Sequence, residues 1–132
     1  MHRTRLSSGS SFEAVAGYSR AVVVEFDTYA EVFVSGCTGF DYSNMTIAED
    51  VTAQTRQCFV NIEQALQRAG GDLSDMVRVR YYLTDASSFE TIAPVLGEYC
   101  SAAKPAATAL ICGLIDPRMK IEIEVDARIL RG

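Results

Sequence analysis

The sequence predicts a single α+β domain with the element order β-β-α-β-α-β-β. Three observations predict it. β-Branched runs near the N-terminus form a hairpin pattern, a central stretch repeats its apolar residues at helical spacing, and the last run alternates apolar with acidic residues. A chain of 132 residues with 48% hydrophobic content suits one folded domain and is too short for two.

Residues 1–11 carry Arg3 and Arg5 without an apolar period and are expected to form a flexible, solvated N-terminal segment within the one domain, 1–132. Tyr18 to Phe26 is rich in valine, and Glu31 to Ser35 alternates again after Asp27-Thr28-Tyr29-Ala30, so the two runs read as a hairpin. The glycines of Ser35-Gly36-Cys37-Thr38-Gly39 then break the pattern, and a loop is expected through Asn44. Thr46-Ile47-Ala48-Glu49 fits a capping box and predicts a helix start at Thr46. Behind it Ile47, Val51, Thr55, Cys58, Phe59, Ile62 and Leu66 recur at steps of three and four, and Gly70-Gly71 ends the run.

Met76 to Leu83 predicts a strand with Val77, Val79, Tyr81 and Leu83 on one face and Arg78, Arg80 and Tyr82 on the other. Ser87-Ser88-Phe89-Glu90 opens a second helix with a second capping box, and Pro94 predicts a kink or a broken first turn. A strand follows from Pro105 to about Ile115, then a turn at Asp116-Pro117-Arg118-Met119. The last strand, Lys120 to Leu130, sets Ile121, Ile123 and Val125 against Glu122, Glu124 and Asp126. Two helices cover one face of such a sheet. The Pro105 strand is apolar on both faces, with Ala107, Ala109 and Ile111 against Leu110 and Cys112. It wants cover on both, which predicts subunits packed on the open side.

Composition excludes several function classes. The net charge is −5 and no Lys/Arg run exists, so a nucleic-acid groove and RNA cleavage are disfavoured. The longest apolar stretch, Ala21-Val22-Val23-Val24, is far short of a membrane span, and no secretory pattern is seen at the start; a cytoplasmic protein is expected. Cys37, Cys58, Cys100 and Cys112 are scattered and His2 is the single histidine, so neither a metal site nor a disulfide framework is expected. Three of the cysteines read as core residues. Without a placed histidine, Ser-His and Cys-His nucleophiles are excluded, and no phosphate-binding glycine motif occurs.

Gly17-Tyr18-Ser19-Arg20-Ala21, Val34-Ser35-Gly36, Gln54-Thr55-Arg56-Gln57 with Asn61, Ala69-Gly70, Lys104-Pro105-Ala106 and Lys120-Ile121-Glu122-Ile123-Glu124 follow in one order. That ordered set resembles the RidA/YjgF family of reactive-intermediate deaminases from about Ala14 to Leu130. The resemblance implies a mixed sheet with two helices on one face (a chorismate-mutase-like arrangement), assembled as a homotrimer with a small-molecule cleft between subunits. It also implies hydrolysis of short-lived enamines and imines, such as 2-aminoacrylate, to keto acids and ammonia, without cofactor or metal.

By the same resemblance Tyr18 and Glu122 are the catalytic candidates, Ser35 and Gly36 line the cleft, and Thr108 follows the position of the substrate-carboxylate arginine. That position is Ala107. Holding a carboxylate in a partly closed cleft without its counter-charge costs roughly 3–5 kcal/mol, or on the order of a hundred- to several thousand-fold in affinity. Efficient turnover of 2-aminoacrylate is therefore not expected, and a changed substrate is. Ala109 adds to a wider, drier pocket base, and Ile111 continues that lining. Cys37 reads as an inert cleft-lining residue rather than a reactive thiol. Arg20, two residues from Tyr18 along an expected strand, reads as a surface residue or as a cation that replaces the lost arginine. Tyr18 alone reads equally as packing or as a cleft residue, and Glu122 shares its strand face with Glu124 and Asp126. Two functions remain: a hydrolase or deaminase for an enamine, imine or related carbonyl compound, and a binding or regulatory trimer without turnover.

Overall fold

Val23, Val32, Val34, Val79, Tyr81, Ile121, Ile123 and Val125 are buried and occupy alternate positions of their strands, so one face of a sheet carries the core. The protein is described by a computed structural model covering residues 2–132. Its elements run β1 (His2–Leu6), α1 (Ser11–Ala16), β2 (Ala21–Glu25), β3 (Tyr29–Thr38), β4 (Phe40–Asp41), β5 (Thr46–Ile47) and α2 (Val51–Arg68). After a single 3-10 turn come β6 (Met76–Leu83), α3 (Ser88–Cys100), β7 (Ala106–Ile111) and β8 (Ile121–Leu130). Six strands form a mixed sheet in the order β1-β2-β3-β8-β6-β7, with β6 and β7 parallel and the other pairs antiparallel. α2 lies on β3 and β8, and α3 packs beside it, where the rings of Phe59 and Tyr99 stack at 4.5 Å. The α+β class and the predicted order of the seven main elements therefore stand.

Several local expectations do not. Residues 2–6 of the segment expected to be flexible form β1, an edge strand paired along its length with β2; Met1 lies outside the described residues. Ser10 caps α1 by accepting from the Phe12 amide, and Gly17, at φ 73°, ends it in the left-handed region that glycine tolerates. α1 is too short for apolar periodicity to reveal. Tyr18 consequently lies in the link to β2 rather than in a strand.

β3 does not stop at Ser35. It continues through a bulge to Thr38, and β4 and β5 form a small hairpin beyond it. The Thr46 amide and hydroxyl both bond Asn44 Oδ1, so Thr46 cannot cap a helix; α2 starts at Val51, where the Asp50 carboxylate accepts from the Ala53 amide at 2.9 Å. Ser87 is already helical, its hydroxyl bonds Asp85 Oδ1, and it makes no cap bond, while Pro94 sits inside α3 without ending it. A register shift between Met76 and Arg78 turns Met76 inward and leaves Val77 51% exposed, against the predicted face. β7 ends at Ile111, and every one of its residues is exposed in the single chain. Of the four cysteines only Cys37 and Cys58 are buried; all four are free thiols.

One core polar side chain fixes the approach to β8. Gln54 is fully buried; its amide nitrogen donates to the Ala48 and Arg118 carbonyls and its oxygen accepts from the Lys120 amide. Losing these part-buried bonds leaves three backbone groups without their protein partner, at about 1 kcal/mol each. Gln54→Ala should therefore lower unfolding free energy by about 2–4 kcal/mol in urea titration, and a loss below about 0.5 kcal/mol would show that water replaces the clamp.

Candidate active site

The bulge in β3 builds the site. Register with β8 is lost between Val34 and Cys37, which pushes Ser35 and Gly36 out of the ladder. The Ser35 amide donates to the Arg20 carbonyl at 2.9 Å and its hydroxyl to the Ser19 carbonyl at 2.6 Å, tying the bulge to the segment after Tyr18. Glu122 lies directly across Gly36: a β-carbon at position 36 would overlap its Oε2. The glycine is required by this close approach.

A cavity of about 780 Å³ opens here. Tyr18, Ser35, Gly36 and Glu122 border it together, so the structure assembles these four predicted residues. Further lining comes from α1, through Ser11, Phe12, Val15 and Ala16, from Ile115 and Met119 before β8, and from Glu124. A smaller cavity of about 310 Å³ shares Gly36, Ile115, Glu122 and Glu124 and extends the cleft past Tyr82 and Cys112.

Burial pushes the Glu122 carboxyl above its ordinary pKa; Arg20 opposes the rise and Glu124 adds to it. Burial likewise raises the Tyr18 phenol, with Arg20 opposing, so the hydroxyl stays protonated and able to donate at neutral pH. Glu124 accepts from the Tyr82 hydroxyl at 2.8 Å and lies 3.6 Å from Arg80, which is equally close to Asp126.

Arg20 corrects one of the expectations made for it, that of a surface residue. It is 2% exposed rather than on the surface, and it does not line the cleft. Its Nε lies 3.6 Å from Glu13 Oε2, its Nη1 donates to the Gly36 carbonyl at 2.9 Å, and its guanidinium stacks 4.3 Å from the Tyr42 ring. The cation borders a separate polar groove with Asp41 and Arg68, and its guanidinium carbon lies 5.8 Å from the ring of Tyr18. Cys37 is also withdrawn. The bulge returns it to the helix-covered face opposite Ile123, it is fully buried, and burial raises its thiol to about 11. Cys37 borders neither cavity of the cleft.

Ala107, Thr108 and Ala109 line neither cavity. β7 pairs with β6, which stands between it and β8. At about 4.8 Å per strand, the backbone at position 107 is displaced by about 10 Å across the sheet from the Glu122 strand. The residues that sequence reasoning missed are on α1 and the 112–119 connection: Phe12, Val15, Ile115 and Met119. The pattern Ser10-x-x-Glu13 followed by Gly17 was the available signal for α1. Among the described residues, no group of three or more His, Cys, Asp or Glu is placed to hold a metal ion, and no helix is long and apolar enough to cross a membrane.

A sequence model of the family described as endoribonuclease L-PSP matches residues 8–129. A Mycobacterium tuberculosis member of the YjgF/YER057c/UK114 family is 38% identical, with a TM-score of 0.84 over 97% of this chain and 100% of that one. RidA from the Antarctic bacterium Psychrobacter sp. PAMC 21119 is 32% identical, with a TM-score of 0.80 over 96% of this chain and 98% of that one. A Thermotoga maritima protein titled a putative endoribonuclease is 26% identical, with a TM-score of 0.84 over the full length of both. The match along nearly the whole sequence, together with the shared fold, makes this chain a member of the YjgF/RidA (endoribonuclease L-PSP) family.

Proposed function

We propose that the protein is a cytoplasmic hydrolase of the RidA type, which deaminates an enamine, imine or related small carbonyl compound that needs no arginine at position 107. Glu122 carries this reading: a half-buried carboxyl with a raised pKa faces a largely apolar cavity with Tyr18 beside it. Glu122 removes a proton from water as the oxygen attacks the C=N carbon. The proton then passes to nitrogen, the C–N bond breaks, and ammonia leaves. The Tyr18 hydroxyl donates to the substrate or to the attacking water. Ser35 and Gly36 shape the floor. Four free thiols suit a reducing compartment.

The assembly belongs to the same proposal. β7 is apolar and wholly exposed, and Phe33 and Leu110 are half-exposed large apolar residues of the sheet. Such a surface supports packing of further copies, and a homotrimer is the form that the resemblance implies. There Ala107, Thr108 and Ala109 would close the cleft of a neighbouring subunit. The apolar walls Phe12, Val15, Ile115 and Met119 favour one second reading, a binding or regulatory trimer using the same cleft without turnover. No Arg or Lys borders the cleft, which gives RNA cleavage no support.

Glu122→Gln should lower ammonia release from imines by roughly 10²–10³-fold, within the range for a lost general base. Since the base form is the active one and its pKa is raised, the wild-type rate should climb with pH through a midpoint above 4.5, and the variant should lose that limb. Equal rates for the two proteins would favour the binding reading. Light scattering should give a mass three times the 14.4 kDa chain, and Leu110→Asp should lower it; a monomeric wild type would end the assembly proposal.

A further inference from the structure

The cleft is bordered by carboxylates and by no cation. Glu122 and Glu124 both face the main cavity and its extension, and no Arg or Lys borders either one. Arg20 stays behind Gly36, held by Glu13 and the Gly36 carbonyl. Arg80 is divided between Glu124 and Asp126, each at 3.6 Å, and Arg78 lies farther along, in register with Asp126. The local sum of Glu122, Glu124, Asp126 and Arg80 is negative with the carboxylates ionised. An anion entering this space meets a net like charge, whereas a cation gains a partner.

The rest of the lining is apolar. Val15 and Ile115, 89% and 90% exposed, line the main cavity together with Phe12 and Met119. Exposed apolar groups lining one cavity favour an apolar substituent within it.

The geometry points to a cationic apolar substrate: the iminium of a primary amine that has no carboxylate and bears an aromatic or branched aliphatic group. This rests on the reading of the cleft as a hydrolytic site and names its substrate class. The positive nitrogen sits against Glu122 and Glu124, and the side group lies against Val15 and Ile115. The water oxygen becomes the carbonyl oxygen, the C–N bond breaks, and both water protons leave on nitrogen as ammonium. R–CH=NH2⁺ and water thus give R–CHO and NH4⁺ with no oxidant or reductant. A reaction that oxidises primary amines to imines must supply the substrate.

Three probes that share one ring and differ in charge test the inference: benzylamine, benzyl alcohol and benzoate, titrated into the full-length protein at neutral pH by calorimetry. Benzylamine should bind at least tenfold more tightly than benzoate, with benzyl alcohol between them. Glu124→Gln should narrow that gap, and Ile115→Ser should weaken benzylamine binding without changing that of methylamine. Benzoate binding as tight as that of benzylamine, or no benzylamine binding at millimolar concentration, overturns the inference. Binding is read without turnover, so a wild type that binds benzylamine but releases no ammonia from imines would remove the hydrolase reading, and a Glu122→Gln protein that releases it normally would remove Glu122 as the base, each leaving the charge preference standing. Conversely, fast ammonia release from a carboxylate-bearing imine, with benzoate competing, would remove the charge preference alone.

Discussion

Arg20 carries its charge inside the protein, with Glu13 Oε2 3.6 Å from Nε, the Gly36 carbonyl 2.9 Å from Nη1 and the Tyr42 ring 4.3 Å away. Each partner comes from a different part of the fold: Glu13 from α1, Gly36 from the β3 bulge, Tyr42 from the segment between β4 and β5. A buried cation that loses its carboxylate costs about 3–5 kcal/mol, so the arrangement is held as a unit. Burial alone would raise the Glu13 pKa, but the Ser8 and Ser7 hydroxyls, the Ser8 amide and Arg20 outweigh it and keep the carboxyl below its ordinary value. Glu13 therefore stays ionised, and through it the short helix α1 is anchored as a wall of the cleft.

The same cation sets the chemistry at Glu122. Burial drives the Glu122 pKa up, and Arg20 restrains that rise without touching the substrate space. Had the guanidinium reached the cavity, it would have paired with Glu122 and fixed the carboxylate in its charged form, a poor state for exchanging protons near neutrality. Gly36 makes this separation possible. With no side chain it lets Glu122 lie against the bulge, while its carbonyl occupies the arginine on the far side.

The fold was legible in the sequence where periodicity runs long. α2 announced itself through Cys58, Phe59, Ile62 and Leu66, and β8 through Ile121, Ile123 and Val125 alternating with acids; all seven are buried. Legibility failed where a side chain had competing local partners. Thr46 looked like a helix cap, but Asn44 took both its donors and Asp50 capped instead. The site divides along the same line. Tyr18, Ser35, Gly36 and Glu122 could be placed from short motifs, whereas the apolar half of the cleft comes from a helix of six residues and from the connection after β7. Arg20 was misplaced for a related reason: treating residue 18 as part of a strand put it on the same face as residue 20, and the Gly17 turn breaks that alternation.

The absence of arginine at position 107 and the acidity of the cleft bear on the same property. Within one chain position 107 lies two strands from Glu122, so a cation there could reach a cleft only across a subunit boundary. Within the chain no arginine borders the cleft: Arg20 is committed to Glu13 and Gly36, and Arg80 lies 3.6 Å from both Glu124 and Asp126. Removing a cation from a site that keeps two carboxylates does more than weaken anion binding. It reverses the sign of the field that a ligand meets, and at short range in a partly dry cavity that sign outweighs small differences in shape. The sign of the field in the single-chain cleft thus follows from which charges face it, Glu122 and Glu124, and which are folded behind it, Arg20.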